Sequence, residues 1–261
     1  MNRMRLTILI IIFIWINSAV SFADELRVAT FNYPPFQYEE QGEVKGIAVD
    51  IVRELFRRLD QPIKIDFYPF PRAVKKLKAG ESDVIFTFYH KKERESFADY
   101  TKEALVDQTI SLFVNEESPT AFDGDLSKLN PYKFGLVRFS YGSIFDAAVD
   151  EKLITRIEYV SKMDLNMKKF LRLRFDILPS DRWVAYYYYS KVNLEEGMSV
   201  KLKELEPPVQ SFPAYMGFSK AKNLSALRDK ADIVLKEMKK DGSYQSIIDV
   251  HLASWGITEA P

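Results

Sequence analysis

The sequence predicts an α/β fold built from two similar units. Strand-like and helix-like segments alternate from Asp24 onward, and the order β-α-β-α-β occurs twice. A chain of 261 residues that is 47% hydrophobic also has enough apolar side chains for a full core.

In the first unit, LRVATF reads as a strand that stops at the turn NYPPF, because adjacent prolines forbid both helix and central strand. GIAVDIVRELFRRL follows, with Ile47, Val49, Ile51, Val52, Leu55, Phe56 and Leu59 on a 3.6-residue stripe, so it is a helix. IKIDFY is the next strand, RAVKKLKAG a short helix closed by Gly80, and DVIFTF a third strand. Three strands separated by helices are expected to run parallel. The third strand turns polar abruptly: Thr87, Tyr89, His90, Lys91, Lys92, Glu93 and Arg94 follow Val84, Ile85 and Phe86. In an open α/β sheet, the carboxyl ends of strands are where ligands sit.

The second unit begins after TISLFVNEESP. YKFGLVRF is a strand, SYGSIFDAAVDEKL a capped helix, ITRIEYV a strand, MDLNMKKFLRL a helix, FDILPS a short strand and DRWVAYYYYSK the start of a helix. FPAYMGFS is strand-like, and LSALRDKADIVLKEMKKDGSYQSIIDVHL gives two helices divided by Gly242. The two units share an order of elements but no residue-level repeat. Two such units joined by extended crossings imply a cleft between them.

Residues 1–23 stand apart. Arg3 and Arg5, the eleven-residue run from Leu6 to Ile16, and Ser21-Phe22-Ala23 make the charged, apolar and small-residue regions of a secretory leader, cut before Asp24. The alternative is an uncleaved anchor, but the run is shorter than the ~20 apolar residues a spanning helix needs. Without the leader, 35 basic residues face 37 acidic ones, a net charge of −2, which offers no electrostatic footprint for nucleic acid. The absence of cysteine leaves no material for disulfides, a lipid-modified thiol or thiolate chemistry, and His90 and His251 are too far apart in sequence to suggest a metal site. No metal and no cofactor is expected.

LRVATFNYPPF, GIAVDIVRELFRRL, LKAGESDVIF with ERESFADYT, GLVRFSYG, RFDILPSDRWVAYY and KKDGSYQSIIDVHL, in this order and spacing, resemble bacterial periplasmic solute-binding proteins of family 3, the polar amino acid-binding type, in a divergent branch. The resemblance implies a two-lobed type II periplasmic binding fold, each lobe a mainly parallel sheet flanked by helices, with two hinge crossings. Lobe 1 would be 24–113 plus 212–261, and lobe 2 would be 114–211. It also implies a periplasmic monomer without catalytic residues. Such a protein captures a small polar, carboxylate-bearing solute, amino acid-like, for the membrane component of an ABC transporter or for a membrane receptor.

Carried over residue by residue, Arg94 takes the place of the arginine that clamps a ligand carboxylate. A guanidinium offers that group a rigid fork of donors. Thr87 would add a hydroxyl or a backbone N–H, and Tyr33 an aromatic wall. Ser140, Tyr141 and Gly142 would turn backbone N–H groups toward the same carboxylate, while Asp181 would meet a ligand amino group. Arg72, in PFPRA, and Tyr89 are further candidates. Lys91 stands where amino acid binders usually carry Ser or Thr, three residues before the clamp.

Plainer roles compete at several positions. Arg94 could pair with Glu93 or Glu95 on the surface, Asp181 could cap the helix that follows it, and Arg72 could simply lead its helix. Tyr186 to Tyr189 face all sides of a helix and serve mainly packing, Lys75, Lys76 and Lys78 form a solvated face, and His90 is exposed. A second functional class is an exported enzyme on the same scaffold, like a cyclohexadienyl dehydratase, with Glu93 or Asp181 as acid or base. A third is a sensor input protein docking on a receptor.

Overall fold

The computed structural model describes residues 24–197 and 199–257. The proposed leader, residues 1–23, lies outside them.

Strand β1 (Leu26–Thr30) forms the centre of the first unit, with β4 (Ile63–Phe67) parallel on one side and β5 (Val84–Tyr89) parallel on the other. Helix α1 (Ile47–Arg58) buries Ile47, Ala48, Val49, Ile51, Val52, Leu55 and Phe56, the stripe that its 3.6-residue spacing foretold. Helix α2 (Phe70–Ala79) starts two residues earlier than its charged pattern suggests, with Pro71 in its first turn, where a missing N–H costs nothing. Gly80 ends it at φ 70°, the left-handed cap that glycine adopts without strain. A short hairpin, β2 (Tyr38–Glu40) with β3 (Glu43–Lys45), precedes α1 and was not foreseen.

Past β6 (Ala98–Tyr100), the long strand β7 (Val106–Asn115) leads into the second unit. There β8 (Phe134–Val137) pairs parallel with β9 (Ile157–Val160), across helix α3 (Ser143–Asp150). Helix α4 (Met163–Leu171), strand β10 (Leu178–Asp181) and helix α5 (Arg182–Glu196) follow. Gly135 N–H bonds to the Ile177 carbonyl at 3.0 Å, which ties β8 to the start of β10.

Strand β11 (Leu202–Ser219) extends far beyond the expected FPAYMGFS. It runs antiparallel to β7 in two registers, Leu202–Leu205 against Asn115–Leu112 and Gln210–Ala214 against Ile110–Val106, then continues against β5 and β6. The main sheet is therefore ordered β10-β7-β11-β5-β1-β4. Strands β7 and β11 are the two extended crossings between units. Helices α6 (Ser225–Asp241) and α7 (Ser243–Ser254), divided at Gly242, return to the first unit and pack against α1.

The second unit has its own apolar cluster, in which Ile110, Leu112 and Val114 of β7 join Phe134, Leu136, Phe145 and Leu205. Ala29, Ala73, Leu77, Ile85 and Phe88 form another under α2 in the first. Ile110 and Phe212 of the one cluster and Phe70 and Tyr215 at the margin of the other also line the candidate site.

Candidate functional site between the units

A cavity of about 1080 Å³ opens between the two units. Its first-unit wall carries Phe31, Tyr33, Phe70, Thr87, Tyr89 and Arg94, with His90 and Lys91 beside them. The crossing strands contribute Gln108 and Ile110 from β7, and Phe212, Pro213 and Tyr215 from β11. The second unit adds Phe139, Ser140, Gly142 and Ser143.

Arg94 sits in a short 3₁₀ turn, Lys92–Arg94, immediately after β5. Its guanidinium carbon lies 4.6 Å from the centroid of the Phe88 ring and 5.3 Å from that of Phe70, and Nη1 donates to the Tyr89 carbonyl at 2.8 Å. Stacking on two rings and one backbone bond hold the fork in place while leaving donors free. Among the described residues no carboxylate lies within ion-pair distance of it, and Glu95 pairs with His90 instead at 2.9 Å. The plainer surface pairing of Arg94 with Glu93 or Glu95 therefore does not form.

Thr87 is held in an uncommon conformation. A bulge places Phe86 and Thr87 together opposite Met216 of β11, and Thr87 has φ 56°, an outlier for a β-branched residue. The distortion turns its hydroxyl to Gln37, donating to Oε1 at 2.8 Å, at the edge of the cavity. The Gln37 amide nitrogen is buried and has no hydrogen-bond partner. Tyr33 is stacked on Phe36 and faces the cavity, and burial, with the Asp181 carboxylate nearby, pushes its hydroxyl well above the ordinary value. Tyr89 packs its ring at 5.9 Å from Phe212, and burial raises its hydroxyl too.

Three of the proposed residues are placed elsewhere. Asp181 is 2% exposed and does not line the cavity. Its Oδ1 accepts from Trp183 and Val184 N–H at 3.0 and 3.2 Å, capping α5, and its Oδ2 accepts from Thr109 N–H at 3.0 Å. Burial pushes its carboxyl up to about 7, against those donors, which favour the charged form. Tyr141 is a core residue: its ring stacks on Phe139, and its hydroxyl accepts from Val137 N–H at 2.8 Å. Arg72 is exposed and rests over the Tyr68 ring at 5.6 Å, while Phe70, two residues before it, turns inward. The helix period decides which of the two faces the cavity.

The N–H groups expected to meet a ligand carboxylate are also largely taken. Asp146 reaches back to Tyr141 N–H at 2.9 Å and to the Ser140 hydroxyl at 2.5 Å, Ser140 Oγ accepts from Gly142 N–H at 3.3 Å, and Gln210 Oε1 accepts from Ile144 N–H at 3.1 Å. So α3 is capped by Asp146 and Gln210. Ser140 still lines the cavity. Gly142 has φ 91°, and a Cβ there would lie 2.2 Å from the Phe212 ring, so only glycine lets the second unit approach this wall.

Phe31, Phe70, Phe139, Phe212 and Tyr215 were missed in the sequence, where an aromatic side chain at a strand end or hinge reads as ordinary core. Gln108 and Ile110 had a faint signal, since alternate residues of a strand share a face.

The model for bacterial extracellular solute-binding proteins, family 3, matches residues 26–254. The chain belongs to that family. Comparison with curated proteins gives no match. Among solved structures, the family 3 chain is similar to substrate-binding domain 2 of Lactococcus lactis GlnP in an open conformation, at 16% identity and TM-score 0.70, covering 87% of this chain and 94% of that one. It is similar to an ancestral arginine-binding protein bound to arginine, at 22% identity and TM-score 0.61, covering 90% and 99%. A histidine kinase sensor domain with similarity to periplasmic binding proteins shares 16% identity at TM-score 0.62, covering 90% and 96%. At these identities the likeness establishes the two-lobed fold of this family 3 protein.

Proposed function

We propose that this solute-binding protein captures a small carboxylate-bearing solute, amino acid-like in size and polarity, between two closing lobes in the periplasm and delivers it to a membrane partner. The observation that carries this reading is the Arg94 guanidinium, fixed by two rings and a backbone carbonyl, facing a cavity and without a carboxylate partner among the described residues. A charge-assisted bond from such a fork contributes about 1.5 to 3 kcal/mol. A few bonds of this kind from both lobes would reach the ~8 kcal/mol of micromolar affinity.

In this reading lobe 1 is 24–113 plus 212–261 and lobe 2 is 114–211, with the divisions falling inside β7 and β11. Closure follows when the solute touches Arg94 and Thr87 on one side and Ser140 or Ser143 on the other, because only the closed state makes both sets of contacts. Residues 1–23 would be removed on export. The partner is the membrane component of an ABC transporter or a receptor; the likeness to a transporter substrate-binding domain and to a kinase sensor domain is compatible with either. Binding without turnover fits the cavity lining, which includes neither Glu93 nor Asp181, the two carboxylates proposed for acid or base chemistry.

Isothermal titration calorimetry of the mature protein against amino acids, small carboxylic acids and amines tests the proposal. Heat from at least one carboxylate, abolished or sharply reduced in Arg94→Ala, is the expected result; an unchanged affinity in that variant refutes it.

A further inference from the structure

Among the described residues no aspartate or glutamate lines the cavity, whereas Arg94 and Lys91 do, clustered after β5 with His90, which pairs with Glu95. Along the sheet two carboxylates pair in register with cavity residues, the exposed Asp107 with Pro213 and Asp181 with Ile110. Neither lines the cavity, and Asp181 is 2% exposed, with both of its oxygens already accepting backbone N–H bonds. A primary ammonium brought into this space would meet neutral oxygens, such as those of Thr87, Gln108 and Ser140, and would sit beside the Arg94 and Lys91 cations. Burying a charge without an opposite partner costs several kcal/mol.

The rest of the lining is aromatic on both sides. Phe31 and Phe70 meet edge to face at 5.1 Å on one wall, Tyr89 and Phe212 are 5.9 Å apart on another, and Phe139 faces from the second unit. Rings around a cavity can also hold cations. Here the outer cations oppose that use, and Arg94 already occupies the space over Phe70. The ring faces remain suited to an apolar, planar body. The volume of about 1080 Å³ lies just above the roughly 300–1,000 Å³ typical of sites that enclose a drug-sized ligand, so a ring fits with room to spare.

We propose that the solute is an aromatic carboxylate without an ammonium group, its carboxylate on Arg94 and its ring between the aromatic walls. This rests on the carboxylate-binding reading above and narrows it. An amino acid has the right anion but carries a cation that this cavity leaves unpaired.

Calorimetry with three probes sharing one skeleton tests it: 3-phenylpropionate, with the carboxylate only; L-phenylalanine, with both groups; and phenethylamine, with the ammonium only. L-Arginine and L-glutamine are run beside them. The expected order is 3-phenylpropionate tighter than L-phenylalanine by at least about tenfold, with no heat from phenethylamine. If L-phenylalanine, L-arginine or L-glutamine binds as tightly as 3-phenylpropionate or tighter, the proposal is overturned and the carboxylate reading stands. If phenethylamine binds best, or no carboxylate probe binds at all, both are overturned.

Discussion

The Arg94 guanidinium lies 4.6 Å from the centre of the Phe88 ring, with no acidic partner among the described residues, and lines the cavity shared by the two units. A charge held this way is available to a ligand without first breaking an ion pair. Arg94→Ala is expected to weaken the tightest-binding carboxylate by about 10- to 100-fold, the loss of one charge-assisted bond. Arg94→Lys keeps the charge but loses the fork and should recover only part of that affinity. Calorimetry on both variants checks it, and full recovery with lysine would contradict bidentate recognition.

Thr87 supports the site from behind. Its hydroxyl donates to Gln37 at 2.8 Å, where the other end of the same amide already lacks a partner. Thr87→Val keeps the shape and the φ of 56° but orphans the Gln37 oxygen as well. A loss of about 1 to 3 kcal/mol in unfolding free energy is expected from urea titration. No change in midpoint would mean that the bond contributes nothing net.

The stability of the chain should carry a pH signature from Asp181. Burial raises its folded-state value to about 7 from 3.8, so the native state holds this proton more tightly than the unfolded chain. The resulting stability is fully present below pH 3.8 and is lost as pH rises through about 7. Each pH unit within that window removes up to about 1.4 kcal/mol. Asp181→Asn keeps an oxygen for the cap of α5 and should flatten that part of the curve. Parallel denaturant titrations of both proteins from pH 4 to 8 measure it, and an identical slope in the variant would rule Asp181 out as the source.

The hairpin that the sequence did not reveal touches the second unit. Tyr38 of β2 lies 5.7 Å from Tyr187 of α5, ring to ring, and Tyr187 also meets Trp255 at 5.8 Å. Lys191 and Glu40 lie 3.6 Å apart on the same side, both partly exposed, and contribute little. An aromatic pair adds about 0.5 to 1.5 kcal/mol to this arrangement of the two units, so Tyr187→Ala is expected to shift the dissociation constant about two- to tenfold. Small-angle scattering should show the ligand-free variant more extended. An unchanged radius together with unchanged affinity would mean that this contact does not bias closure.

Much of the frame was legible because it depends on local pattern. The stripe of α1, the end of α2 at Gly80, and the parallel strands β1, β4 and β5 all follow from periodicity and punctuation. The hairpin β2–β3 escaped because YEEQGEVK is too short and too polar to show an alternating face. Strand β11 was longer than it read, since Pro207 and Pro208 lie where its register against β7 shifts, and prolines in sequence argue against a continuous strand. Among the candidate residues, Tyr33, Thr87, Tyr89, Arg94 and Ser140 line the cavity. Asp181, Tyr141 and Arg72 do not, because each is claimed by a nearer neighbour: the N–H groups of α5, the Val137 N–H, and the Tyr68 ring.

The sequence by itself determined the elements, their order and the position of a cluster of cations after a core strand, since hydrophobic period and chain-breaking residues act within a few positions of one another. Only the tertiary structure decided which of those groups share one space and which polar atoms are already satisfied. Aromatic side chains from the turn after β1, from α2, from β11 and from the loop after β8 line one cavity with Arg94, and Asp181 withdraws into a helix cap, because hydrogen-bond partners and packing neighbours are assigned by residues far apart in the chain.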